Sequence, residues 1–363
     1  MGKYKNWDNK MPCQGIRVLD LSGVLAGPLT ASFFAELGAT VIKIENKLTG
    51  GDATRQWKLK EEDRADEYSA YYHSANYGKE IRLMDLSNEV ERNLVNQILP
   101  TIDIIISNFQ KKTAQKLGFE PDVIVKKYPS IIFAQLSAYS YDDPRSGYDL
   151  VMQGETGWIS MTGTDYDHVA KLPVAIIDIF AAHQMKEAIL IALLKKEKTG
   201  SGSILHISLY KSGVSGLANQ ASNFLNVGYV PKPMGTLHPN IAPYGDIFVS
   251  AEEKKFLLAV GSDSQFKKLW FTLISEEVDF TNFDFNSKRV IRRDELQDIL
   301  QQQFSKHSFK KIEALLLSIH VPFCLIKQLD EVFKDKMAKN MVLPHETEKE
   351  RVFSLSNIAF DIS

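Results

Sequence analysis

Residues 16–45 constrain the fold more tightly than any other stretch. Ile16-Arg17-Val18-Leu19-Asp20-Leu21 is a short β-forming run, and Gly23-Val24-Leu25-Ala26-Gly27-Pro28 follows as a turn. Residues 29–37 are expected to be helical and to end at Gly38, with Pro28 suited to the first helical position. Thr40-Val41-Ile42-Lys43-Ile44-Glu45 is then a second strand. Strand, crossover helix and strand make a βαβ unit, whose two strands lie parallel. The opening half therefore reads as a parallel sheet with helices over its faces. β-Type runs at 80–83, 103–109 and 131–139, with a helix over 113–127, continue the pattern.

A second stretch, residues 173–208, places one acid at a telling position. An apolar run stops at Asp178, and a segment rich in Ala, Leu, Ile, Lys and Glu follows. It ends in a basic turn (Lys195, Lys196, Lys198) and Thr199-Gly200-Ser201-Gly202, the expected chemistry of a helix C-terminus, before a strand at 204–209. Asp178 thus falls where a helix begins, facing its unpaired N–H groups and partial positive charge. Two readings stand for it: an N-cap, or an ionised carboxylate used as a nucleophile toward an activated acyl group.

At 363 residues the chain is long enough for two domains. A net charge of −2 leaves no electrostatic footprint for nucleic acid. Its two cysteines, Cys13 and Cys324, make no disulfide framework, the first ten residues hold no apolar signal core, and no window reaches the length of a membrane span. The expected location is the cytoplasm. The glycines of the first turn are spaced G-x-x-x-G, which is not the dinucleotide fingerprint, so NAD is rejected even though Glu45 closes the second strand. The eight histidines form no metal-ligand pattern, and neither a nucleophile elbow nor a phosphate-binding P-loop is present. The loop from Leu48 to Trp57 joins an Arg and a Trp in the manner of ligand-touching loops. A Pro/Gly-rich passage at 229–245 is the expected linker.

Several of these pieces, in order, resemble the class III CoA-transferases, the group of formyl-CoA transferase and carnitine CoA-transferase that also contains α-methylacyl-CoA racemases. They are Val18-Leu19-Asp20-Leu21-Ser22 with Leu25-Ala26-Gly27-Pro28, Leu37-Gly38-Ala39, Val41 to Glu45, and Gly51-Asp52 with Arg55. Asn108-Phe109, Leu117-Gly118-Phe119, Gly147-Tyr148-Asp149, Thr162-Gly163, Asp178 and Lys198 to Gly202 follow, then Pro243-Tyr244 and Val321-Pro322-Phe323-Cys324. The resemblance spans roughly the first 330 residues.

It implies an α/β fold: a Rossmann-like large domain with a parallel sheet over residues 1–225, a small α+β domain over 226–329, and a return to the large domain over 330–363. It also implies two subunits threaded as interlocked rings, a homodimer. The chemistry implied is CoA transfer from an acyl-CoA to a carboxylic acid, through an aspartyl anhydride and an aspartyl-CoA thioester on Asp178, with no metal and no cofactor beyond coenzyme A. The CoA positions are Val24, Leu25, Ala26, Lys43, Arg55, Asn76, Lys79, Lys116 and Tyr148. The racemases resemble this chain at residues 147–149 but carry histidine where Tyr148 stands, and a phenol with a pKa of about 10 is a poor proton carrier at neutral pH. Racemase chemistry is thus the second reading, and a silent CoA-binding homologue the third. The chain departs from the family pattern at Gln110-Lys111-Lys112, Ala138, Ser140 and Glu80, and it has Gly235-Thr236-Leu237-His238-Pro239 in place of a Gly-rich lid. It also lacks the usual C-terminal helical segment. These departures point to a divergent member with its own substrate.

Overall fold

The computed structural model describes residues 11–274, 278–346 and 351–361. Two compact units emerge. The larger holds the chain up to Ser160, Ala170–Pro231 and the chain from Asn340 on, and the smaller holds Met161–Val169 and Lys232–Lys339. The sequence-based boundaries at 226 and 330 fall before the observed exit at Lys232 and return at Asn340, and the excursion at 161–169 was not anticipated.

The larger unit is built on six parallel strands: β1 (Arg17–Leu21), β2 (Thr40–Asn46), β3 (Lys79–Met84), β4 (Ile104–Ser107), β5 (Ile132–Ser137) and β6 (Ser203–Ser208). Their order is β3-β2-β1-β4-β5-β6, that of doubly wound sheets. The central strands are apolar without alternation because both faces are covered. Val18, Ile104, Ile106, Ile132 and Ala134 face one core with helices α1 (Ala26–Glu36) and, later in the chain, Ile176–Thr199. Leu19, Leu21, Ile42, Ile105 and Phe133 face a second core that takes in Val95, Leu99, Phe119 and Ile124.

The helices between are α2 (Ala70–His73), α3 (Glu89–Ile98), α4 (Lys111–Leu117), α5 (Pro121–Lys127), α6 (Asp149–Glu155), α7 (Trp158–Met161), α8 (Ile176–Thr199), α9 (Leu209–Ser215) and α10 (Ala218–Val227). Helix α1 begins three residues earlier than expected, so Pro28 occupies the third helical position, still within the first turn where no intrahelical N–H is lost. The helix expected over 113–127 breaks at Gly118, which ends α4 in the left-handed conformation. A hairpin, β10 (Val342–Glu346) with β11 (Arg351–Leu355), follows the return. Beyond it Ile358 enters the α1 core, and Glu36 accepts hydrogen bonds from Ser356 Oγ at 2.7 Å and Asn357 N at 2.9 Å.

The smaller unit holds an antiparallel sheet, β7 (Tyr244–Val249), β8 (Lys255–Ala259) and β9 (Phe323–Leu325), in that order. β7 and β8 run antiparallel, joined by residues 250–254. α11 (Asp263–Leu273), α12 (Asn286–Ile291), α13 (Arg293–Phe304) and α14 (Phe309–Ser318) enclose an aromatic core of Phe248, Phe256, Phe266, Trp270 and Phe304. Among the described residues no helix is long and apolar enough to cross a membrane.

Candidate active site

Helix α8 has no cap of its own: Ala175 occupies the N-cap and offers no side-chain acceptor. The acceptor comes from α6. Asp149, its first residue, accepts through Oδ1 from Ile177 N at 2.7 Å and from Asp178 N at 3.3 Å. Its Oδ2 accepts from Gln153 Nε2 at 2.6 Å, and Gln153 Oε1 accepts from Leu172 N at 2.8 Å. Asp178 is therefore no N-cap. It is the third helical residue, 6% exposed, and among the described residues no hydrogen bond or ion pair reaches its carboxylate.

That arrangement corrects the expectation that a helix start keeps Asp178 ionised. The nearby N–H groups serve Asp149, and burial, reinforced by the Asp149 charge, pushes the Asp178 carboxyl up to about 7. Burial, then the charges of Asp178, Asp149 and Asp52, push the Tyr71 phenol up to about 12. Trp57 meets Tyr71 edge-on at 5.2 Å and Tyr148 at 6.4 Å between ring centroids, and Tyr148 is largely exposed beside the start of α6. Trp57 and Tyr148 were legible as candidates. Tyr71 was not, and Asp149 was visible only as the third residue of Gly147-Tyr148-Asp149.

A crevice of about 540 Å3 opens at the C-terminal ends of β1, β2, β3 and β4. This is where the strand order reverses, between β1 and β4, the place where open α/β sheets bind ligands. Val24, Asp52, Ser87, Asn108 and Lys116 are among its lining residues. Asn108 clasps the loop after β1, accepting from Gly23 N at 3.2 Å and donating to Gly23 O at 3.0 Å. Val24 is in the left-handed region at φ 72°, a strained place for a β-branched residue, and its N–H donates to Asp52 at 3.1 Å. Leu25 and Ala26 are buried at the start of α1, whose first turn has no side-chain cap.

The other expected ligand cations turn inward. Lys43 Nζ donates to Ser22 O at 2.6 Å and Asp52 Oδ2 at 3.1 Å, with its side chain fully buried. Lys79 Nζ donates to Asp20 Oδ2 at 2.9 Å, Pro28 O at 2.8 Å and Asn76 Oδ1 at 3.0 Å; burial lowers it to about 8. Arg55 Nε donates to Glu45 at 2.7 Å, and its guanidinium, which also pairs with Glu67, lies over Tyr68 and Tyr72. Asn76 donates to Tyr72 O at 2.9 Å. Drawing Lys43 or Arg55 toward a ligand would leave a buried carboxylate, Asp52 or Glu45, without its cation, which costs about 3–5 kcal/mol. Lys116 alone among the expected cations lines the crevice. Glu80 pairs with Arg82 on the surface. Among the described residues no group of three His, Cys, Asp or Glu is placed to hold a metal ion.

A family model described as CoA-transferase family III matches residues 13–362. The chain is 32% identical over 350 residues to a succinate–glutarate CoA-transferase of Agrobacterium fabrum, a match covering 94% of this chain and 87% of that one. It is 29% identical over 355 residues to succinyl-CoA:glutarate CoA-transferase of Homo sapiens, covering 96% and 79%. The crystal structure of a CAIB/BAIF family protein from Brucella suis matches with a TM-score of 0.80 at 32% identity, over 97% of this chain and 93% of that one.

Proposed function

The chain belongs to CoA-transferase family III and is a CoA-transferase, and from that premise we propose that it passes CoA from an acyl-CoA to a carboxylic acid by covalent catalysis on Asp178. One observation carries the reading: a buried carboxylate in the first turn of α8 that no hydrogen bond or ion pair reaches among the described residues, its carboxyl pushed up to about 7. Such a group is half-ionised near pH 7 and poorly solvated when ionised, which favours attack on a thioester.

The steps balance as follows. An Asp178 oxygen attacks the thioester carbonyl carbon, the C–S bond breaks, and CoA leaves as thiolate, giving an acyl-aspartyl anhydride. The thiolate attacks the aspartyl carbonyl and the donor acid departs, leaving an aspartyl-CoA thioester. The acceptor carboxylate attacks that carbonyl and expels the thiolate again. The thiolate then attacks the new acyl carbonyl and releases Asp178 as carboxylate. Trp57, Tyr71 and Tyr148 would border the acyl group.

The nucleotide part of CoA would lie in the crevice at β1 and β4, which Val24 and Lys116 line, with Lys116 supplying charge and Leu25 and Ala26 behind it at the start of α1. Lys43, Arg55, Asn76 and Lys79 then hold the crevice loops from within. The doubly wound order supports the Rossmann-like reading of the larger unit. The substrates of the two named relatives favour dicarboxylic acids as donor and acceptor. Exposed Leu190, Ile191, Leu194, Phe224, Leu225 and Val227 support burial against a second subunit. A cytoplasmic location is part of the same reading.

The test is intact-mass and peptide analysis of protein mixed with succinyl-CoA and quenched with hydroxylamine, beside Asp178→Ala. A hydroxamate on the Asp178 peptide, absent from the variant, is the expected result. Turnover by Asp178→Ala at the wild-type rate would overturn it.

A further inference from the structure

The lead-in to α8 is clamped from α6 by two buried side chains one helical turn apart. Gln153 takes Leu172 N and reaches Val174 O at 3.4 Å, and Asp149 takes the N–H groups of Ile177 and Asp178. The clamp is internally braced by the 2.6 Å hydrogen bond between its two members, with Gln153 1% and Asp149 9% exposed. An acid in the first turn of a helix ordinarily finds N–H donors there, and a carboxylate holding such donors is a stabilised, weak nucleophile. Here another carboxylate occupies them.

We propose that Asp149 is a positioning residue for the transfer reaction: it fixes the backbone of Asp178 and, by occupying the helix N–H groups itself, keeps the Asp178 carboxylate free of donors and strongly nucleophilic. This rests on Asp178 being the nucleophile. The titratable groups whose charge meets at the site are Asp149 from α6, Asp178 from α8 and Tyr71 from α2, with Asp52 beyond Tyr71. Two like charges so close raise the energy of the ionised pair and so the basicity of the one that is not hydrogen-bonded. Asp149 holds three donors, whereas no donor reaches the Asp178 carboxylate among the described residues.

Single-turnover trapping of the Asp178 adduct with succinyl-CoA, followed across pH, tests this in the full chain. Asp149→Asn keeps an acceptor for the helix N–H groups and removes the charge. The adduct should still form, its acid limb should move down by about one unit or more, and its plateau rate should fall about threefold per unit of lost basicity, taking the Brønsted slope of thiol nucleophiles as a guide. Asp149→Glu keeps the charge and displaces the acceptor, so the limb should stay and the plateau rate should fall about tenfold or more. An unmoved limb in Asp149→Asn, or a wild-type rate in Asp149→Glu, would overturn the proposal. Should Asp149→Asn not fold, Asp149→Glu decides. Absence of any adduct on Asp178 in the wild-type protein would instead overturn the nucleophile reading on which the proposal stands.

Discussion

Asp178 is held against its own preference for water. Its carboxyl is raised from 3.8 to about 7, so ionising it in the folded protein costs free energy that the unfolded chain does not bear. The cost is absent below about pH 4, grows as pH rises, and is complete above about pH 7, where it amounts to roughly 4 kcal/mol. Asp178→Asn removes the charge and should stabilise the protein at pH 8 by up to that amount, with little gain near pH 4. Urea midpoints at the two pH values check this. A carboxylate that merely capped its helix would show the opposite, losing about 0.5–2 kcal/mol on substitution. Val24 is a second residue kept at a cost, left-handed at φ 72° with its N–H drawn to Asp52. Both strained or frustrated positions border the site, where such costs are commonly kept for function.

At the scale of elements, the loop between β1 and α1 is shaped from behind. Asp20 at the end of β1, Lys43 in β2, Asp52 after β2 and Lys79 at the start of β3 form one buried chain of alternating charge, and Asp52 passes its hold on to Val24 and Thr54. Lys43→Met leaves Asp52 without a cation and Asp20 with Lys79 alone, and should cost about 3–5 kcal/mol in urea unfolding. Adding Asp52→Asn should return part of that loss, which a double-mutant cycle reads directly. A sequence shows that these lysines exist, but not that three strands bring carboxylates within reach of them. Hence Lys43, Arg55 and Lys79 read as ligand contacts when their charges point inward. The start of α8 was legible for a local reason, because an apolar run is interrupted by a single acid ahead of a long helix-forming segment. Its cap was not, since Asp149 lies 29 residues upstream of Asp178 and only tertiary structure joins them.

Across the whole molecule, the parallel sheet was legible because strands covered on both faces are written as unbroken apolar runs such as Ile104-Ile105-Ile106. The division of the chain was legible only in outline, since residues 161–169 join the smaller unit without any compositional signal. The late segment also belongs to the larger unit more deeply than its polarity suggests. Ile358 is 3% exposed within the α1 core, so Ile358→Ala should cost about 2–5 kcal/mol, as a central core residue does, read by urea unfolding. That placement bears on how the protein is made. Domains usually complete themselves from the N-terminus as a ribosome releases the chain, but here the first unit begun is the last that can finish. Residues 232–339 leave the ribosome before the segment that brings Ile358 into the α1 core and Ser356 and Asn357 to Glu36. Until residues 356–358 are synthesised, the nascent sheet keeps that place in its α1 core unfilled and Glu36 without these donors.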